Sequence, residues 1–169
     1  LVGSEMCIRD RNMVKSMIAH QQQNRLHMLP VWSLMGNEGW CMTGYHAVTV
    51  VADALVKGAA LNADEALRAM DETANCSYFP SVDKDKTAAS NTLEYSYDDW
   101  TIYAAALKMG RKDIADKYAK RALFYRNTFD KKIGFASPRY ANGEFKKDLD
   151  PYQTYDEGFI EGNSWNFSF

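Results

Sequence analysis

The 169-residue chain is 46% hydrophobic, 25% charged and 13% aromatic, a balance that excludes a disordered, collagenous or coiled-coil polypeptide and suffices for one ordinary core. Twenty lysines and arginines against 22 aspartates and glutamates leave a net charge of −2, so there is no basic field for nucleic acid, and no run of ~18 apolar residues spans a bilayer. Cys7, Cys41 and Cys76 form neither a CxxC pair nor an even set, which argues against a disulfide scaffold and a thiolate zinc centre.

Residues 1–11 carry no period, cap or turn pattern and lack the apolar core of a signal peptide. The string resembles a translated sequencing adaptor, so a non-native tail that packs against nothing is expected there, with residues 12–169 as the folded portion. The other end stops inside the aromatic-rich stretch 164–169, and truncation at both ends is the expectation.

In chain order, a helix is predicted over 13–23, with Met13, Met17 and Ile18 on one face, and Leu29-Pro30 breaks it before a loop at 31–39. Residues 40–57 read as an inner helix with Val48, Val51, Ala52 and Leu55 at helical spacing, stopped by Gly58. Asn62 caps a short surface helix over 63–73. After a charged loop at 79–87, Ser90 or Thr92 caps a long helix to Met109 whose apolar stripe is Leu93, Tyr97, Trp100, Ala104 and Leu107. Beyond Gly110, residues 112–129 form a second helix with Ile114, Tyr118, Ala122, Tyr125 and Phe129 on one side, which makes an antiparallel αα-hairpin. From 133 to 145 the period shortens to about two around Asn142-Gly143, the mark of a small β-hairpin excursion. Inner apolar and outer charged helices in alternation point to an all-α fold, a fragment of an (α/α) toroid or a helical-repeat scaffold.

Three segments place aromatic rings beside carboxylates: 32–40 around Asn37 and Glu38, between Trp32 and Trp40; 92–100 around Glu94; and 156–165 around Glu161 and Asn163. Sugars need that pairing, because C–H faces stack on rings while hydroxyls take charged acceptors. Packing aromatics with a capping acid have the same composition. Glu94 and Asp98 stand at i,i+4 with Asp99 beside them, which suits a hard cation with oxygen ligands, or aspartates that face solvent or pair with lysine or arginine. His20, His27 and His46 are too scattered for a metal triad, and His46 is expected as a hydrogen-bonded core histidine without a catalytic role. No G-x-S-x-G, P-loop or G-x-G-x-x-G is present.

Leu29-Pro30-Val31-Trp32-Ser33-Leu34 with Gly36-Asn37-Glu38 and Met42-Thr43-Gly44-Tyr45-His46-Ala47-Val48, then Thr92-Leu93-Glu94-Tyr95 with Asp98-Asp99-Trp100, then Glu161-Gly162-Asn163-Ser164-Trp165, resemble in order the catalytic domain of glycoside hydrolase family 92. The resemblance implies that residues 12–169 are part of an (α/α)6 catalytic domain, packed in its parent against an N-terminal β-domain not contained here. It implies a calcium-dependent, exo-acting, inverting α-mannosidase that releases mannose from α-mannosides such as N-glycan or mannan chains, secreted or periplasmic. Glu38 matches the general acid, Glu94 and Asn163 match Ca2+ ligands, and Trp32, Asn37, Trp40, Ser90 and Glu161 line the substrate site. An inverting pair needs an acid and a base about 6.5 to 9.5 Å apart. The family's base falls just beyond Phe169, so this polypeptide alone is expected to be inactive. Ala89-Ser90 stand where α-1,2-acting members tend to carry His-Glu, which argues against strict α-1,2 cleavage. Leu107, Gly110, Ala115, Tyr118 and Ala122 echo a tetratricopeptide unit, but no second copy about 34 residues away supports a scaffold; a non-catalytic sugar-binding toroid is the other alternative.

Overall fold

The computed structural model describes residues 2–34, 37–38, 43–76, 88–154 and 157–168, the side chains of 2–6, 34, 37 and 38 excepted. Among them are five α-helices: α1 (Val2–Gln23), α2 (Ala47–Val56), α3 (Ala63–Cys76), α4 (Ala88–Lys108) and α5 (Lys112–Arg121). Four two-residue strands, β1 (Ser33–Leu34), β2 (Asn37–Glu38), β3 (Phe129–Asp130) and β4 (Phe135–Ala136), form two antiparallel pairs. The helical dominance and small β-excursions agree with the sequence reading. Contacts divide the chain into two units, Leu1–Ser77 with Asp98–Arg121, and Tyr78–Tyr97 with Ala122–Phe169.

In the first unit α1, α2 and α3 pack on one another. Val14 and Ile18, then Val48, Val51, Ala52 and Leu55, then Ala66, Leu67 and Met70 form the core with Ile102, Ala105, Ala106 and Tyr118, all at most 5% exposed. Each buried Val, Leu, Ile or Met contributes about 1.5–3 kcal/mol. Asn62 Oδ1 accepts the Glu65 amide at 3.2 Å, the expected N-cap of α3. Thr73 Oγ1 accepts the Leu29 amide at 2.9 Å and donates to Ala69 at 2.7 Å, which ties the segment after α1 to α3.

Helix α1 begins at Val2, not at 13, so the stretch read as patternless is helical; Cys7 and Ile8 are exposed on it. Helix α2 is ten residues long, not eighteen. Gly44 takes φ +87, outside the helical basin, and a Cβ there would meet the His46 ring at 2.5 Å, so the chain turns at 44–46 before the helix can start. The stripe predicted to bury α4 lies outward: Tyr97, Trp100 and Leu107 are 58, 51 and 59% exposed. The opposite face, Asp98, Asp99, Ile102, Ala105 and Ala106, is the buried one. Ser90 and Thr92 sit inside α4 and are not its cap; Thr92 Oγ1 donates back to the Ala88 carbonyl. Helix α5 stops at Arg121, and Tyr125 and Phe129, exposed by 43 and 44%, lie on a 3₁₀ turn and β3.

The second unit carries two hairpins where one was expected. Phe129 pairs with Ala136 and Asp130 with Phe135, and Arg139 bridges Phe145 around the Asn142-Gly143 turn. Gly158 has φ +91 with Pro138 Cγ 2.2 Å from where a Cβ would stand, so no other residue fits.

Candidate active-site elements

In the second unit Leu93, Glu94, Glu161, Asn166 and Phe167 line an open cavity of about 560 Å³. Two of the sequence-predicted residues, 67 positions apart, are thus brought together. The first turn of α4 holds the loop that carries Glu161: the Ser90 amide donates to Gly158 O at 2.9 Å, and Ser90 Oγ accepts the Ile160 amide at 2.8 Å. Ser90 is itself fully buried, so it acts on the cavity through the loop it holds. Glu161 takes φ +49, a left-handed conformation costing of order 1–3 kcal/mol that the surrounding bonds must over-determine. Asn163 does not line the cavity. Its Oδ1 accepts the Asn166 amide at 2.9 Å, Asn166 Oδ1 accepts the Asn163 amide at 3.2 Å, and its Nδ2 donates to Tyr152 O at 3.0 Å. This reciprocal cap sets the turn that presents Asn166 to the cavity. Glu157 accepts from Tyr140 Oη at 2.9 Å and from Lys146 Nζ at 2.6 Å, a structural carboxylate.

Glutamates and an asparagine are all-oxygen donors, the chemistry of a hard cation, so the donor type fits Ca2+. The number does not reach the six to eight oxygens of a calcium shell, and among the described residues no group of three or more His, Cys, Asp or Glu stands ready for a metal. Another cavity of this unit, about 490 Å³ beside Ala89, Thr92, Ser96 and Arg139, lies on the face of α4 turned away from Glu94.

Glu38 belongs to the first unit. Its backbone lies in β2 opposite Ser33, with Leu34 opposite Asn37. The side chains of Asn37 and Glu38, and all of Trp40, lie outside the described residues; Trp32 is 47% exposed beside the ladder. Beyond the hairpin, residues 44–46 run into a buried polar network. Asp98 Oδ2 accepts the Tyr45 amide at 3.0 Å and Asp98 Oδ1 meets His46 Nδ1 at 2.8 Å. Asp99 Oδ1 accepts from Tyr45 Oη at 2.7 Å and Asp99 Oδ2 from Arg121 Nε at 2.8 Å. Arg121 also donates to Ala74 O at 3.0 Å. Asp98 and Asp99 are 0 and 1% exposed, so of the readings open for them, pairing holds for Asp99 and solvent exposure for neither. His46 is hydrogen-bonded as expected, but with its side chain 46% exposed it is no core residue. Nothing in the sequence around Arg121, read as interior to a helix over 112–129, marks it as the partner.

Burial pushes the Asp99 carboxyl up to about 6, against the opposing pull of Arg121 and of the hydrogen bond from Tyr45. A carboxyl that binds its proton more tightly in the folded state contributes stability that is full below about pH 4 and is lost as pH rises through about 6. Between about pH 4.5 and 7.5 this group should therefore remove about 2 kcal/mol of stability. Urea midpoints of the chain and of Asp99→Asn at the two pH values check it: the slope should flatten in the variant, and an unchanged slope would assign the titration elsewhere.

Residues 8–169 match the glycosyl hydrolase family 92 catalytic domain, and the chain belongs to that family. The structure is similar to the family GH92 α-mannosidase BT3965 from Bacteroides thetaiotaomicron, with 35% identity, a TM-score of 0.85, and coverage of 92% of this chain and 23% of that one. Its complex with mannoimidazole aligns with a TM-score of 0.80 at 36% identity, over 86% of this chain and 21% of that one. The GH92 inverting mannosidase BT2199 from Bacteroides thetaiotaomicron VPI-5482 gives 28% identity and a TM-score of 0.84, again over 92 and 23%. The chain therefore spans about a quarter of the length of these relatives. No curated protein sequence matches it.

Proposed function

We propose that this chain is part of an exo-acting, calcium-dependent, inverting α-mannosidase that releases mannose from α-mannosides such as N-glycan or mannan chains. The observation that carries the reading is the match of nearly the whole chain to the family 92 catalytic domain, with two family mannosidases superposing over 92% of it. Further helices and an N-terminal β-domain would complete the enzyme. An extracytoplasmic location, secreted or periplasmic, goes with polymeric substrates that cross no membrane unaided.

Glu38 is the general acid in this reading: it protonates the glycosidic oxygen as the bond to the anomeric carbon breaks, while water attacks from the other face. Trp32, Asn37 and Trp40 flank it along the chain and wall the sugar. Glu94 and Glu161, which share a cavity in the second unit, take sugar hydroxyls and the cation, with Ser90 and Asn163 setting the loop between them. Asn163 Oδ1 keeps a second lone pair beyond its Asn166 bond, the one it would offer the cation. Bound Ca2+ would supply charge and a template for the mannose hydroxyls.

The test uses the full-length enzyme. Hydrolysis of an aryl α-mannoside followed by NMR should release β-mannose first, stop in a chelator and return with calcium. Glu94→Ala should raise the calcium concentration for half-maximal activity at least tenfold. Turnover indifferent to chelator removes the cation from the reading, and α-mannose as first product removes inversion.

A further inference from the structure

A hairpin with two residues per strand is marginal by itself, so the placement of Glu38 must come from what holds the ends of its segment. Those ends are two buried anchors in the first unit. On the N-terminal side Leu29, 1% exposed, donates its amide to Thr73 of α3. On the C-terminal side Tyr45, also 1% exposed, is held through its amide by Asp98 and through its hydroxyl by Asp99. Asp98 fixes the next residue too, through the His46 ring, and that ring covers Gly44 so closely that no Cβ fits there. Three consecutive residues, 44–46, are thereby set by one fully buried carboxylate that is not among the residues lining the Glu94–Glu161 cavity.

We infer that Asp98 is a positioning residue for proton donation by Glu38: it pins residues 44–46, six to eight positions beyond the acid, to α4 and so anchors the segment that carries it. The inference rests on the reading of Glu38 as the general acid. Its chemistry gives a signature that stability alone does not. Protonation matters in proportion to how poor the leaving group is, so a misplaced acid costs much with a sugar leaving group and little with one that departs as a stable anion. A displacement of about 1 Å is enough to cost on the order of 10²-fold.

The experiment compares kcat and KM of the full-length enzyme with Asp98→Asn, His46→Ala and Glu38→Gln, on an α-mannobiose and on 2,4-dinitrophenyl α-mannoside. Asp98→Asn keeps the side-chain shape but sets an amide against the two donors of Tyr45 and His46. It should lower kcat on the mannobiose by about 10- to 100-fold and kcat on the dinitrophenyl substrate by less than about threefold, with KM nearly unchanged. His46→Ala should show the same selectivity, smaller in size. If Asp98→Asn does not fold, His46→Ala decides, because its half-exposed ring can be removed without opening the core. Equal losses on both substrates, or none, overturn the inference while a selective Glu38→Gln leaves the acid assignment standing. A Glu38→Gln variant that loses both substrates equally overturns the acid assignment, and the positioning role with it.

Discussion

Replacing Glu38 by glutamine in the full-length enzyme should lower kcat on a mannobiose by about 10² to 10⁴-fold, the usual contribution of a positioned general acid. The amide keeps the size of the carboxyl and can donate a hydrogen bond, so substrate binding and folding should survive. It cannot transfer its proton, so the leaving sugar would have to depart as an alkoxide. That requirement vanishes for dinitrophenolate, and turnover of the activated substrate should stay within about tenfold of the parent. The acidic and alkaline limbs of the pH–kcat profile on mannobiose separate the roles further: the alkaline limb, which reports loss of the acid's proton, should disappear in the variant. A variant that retains both the mannobiose rate and that limb would move the acid to another residue.

Replacing Arg121 by alanine should cost the fold about 3–5 kcal/mol, the range for removing one partner of a buried ion pair. Two carboxylates, Asp98 and Asp99, are almost fully buried, and Arg121, with its side chain 15% exposed, is the guanidinium paired with Asp99. Its Nε lies 2.8 Å from Asp99, and its other nitrogens reach Tyr45 Oη at 3.2 Å, Ala74 O at 3.0 Å and Asn75 Oδ1 at 3.4 Å. Truncation strands a charge and at least two buried acceptors together. Lysine should recover little, since one ammonium cannot span a fork of contacts to a helix end and a carboxylate. Denaturant midpoints at pH 7 check this, and a loss under about 1 kcal/mol would show that the network contributes no more than a surface pair.

How far the chain could be read without coordinates depended on whether burial followed hydrophobicity. In α2 it did: Val48, Val51, Ala52 and Leu55 were expected at helical spacing and are buried. In α4 the polar residues go inside, because Asp98 and Asp99 meet donors from segments 22 to 54 residues away, and a periodicity argument treats every carboxylate as solvated. The face left outward then holds Tyr97, Trp100 and Leu107, which any hydropathy pattern assigns to a core. The same holds for the site. Glu94 and Glu161 were recognisable as acids beside rings, and they share a cavity. Ser90 was recognised too, but not its place behind the Glu161 loop, since a bond between residues 70 positions apart leaves no local mark. Glu38 rests on motif resemblance, and only its backbone position in β2 is added by the structure.

The wiring of Asp98 and Asp99 bears on how the first unit folds. Asp99 and Arg121 lie equally far on either side of Gly110, so the α4–α5 turn alone can bring them together early, at the loop-closure cost of 22 residues. Tyr45 and His46 must arrive from 52 to 54 residues away, and contacts of that separation form only after most of the chain entropy has been lost. The segment that follows the hairpin is therefore among the last to lock. Changes at Tyr45, His46 or Asp98 will fall mainly on the unfolding rate, leaving the folding rate nearly intact. What the buried carboxylates confer is persistence: once closed over Tyr45, the clamp slows the escape of the folded unit more than it guides the chain into it.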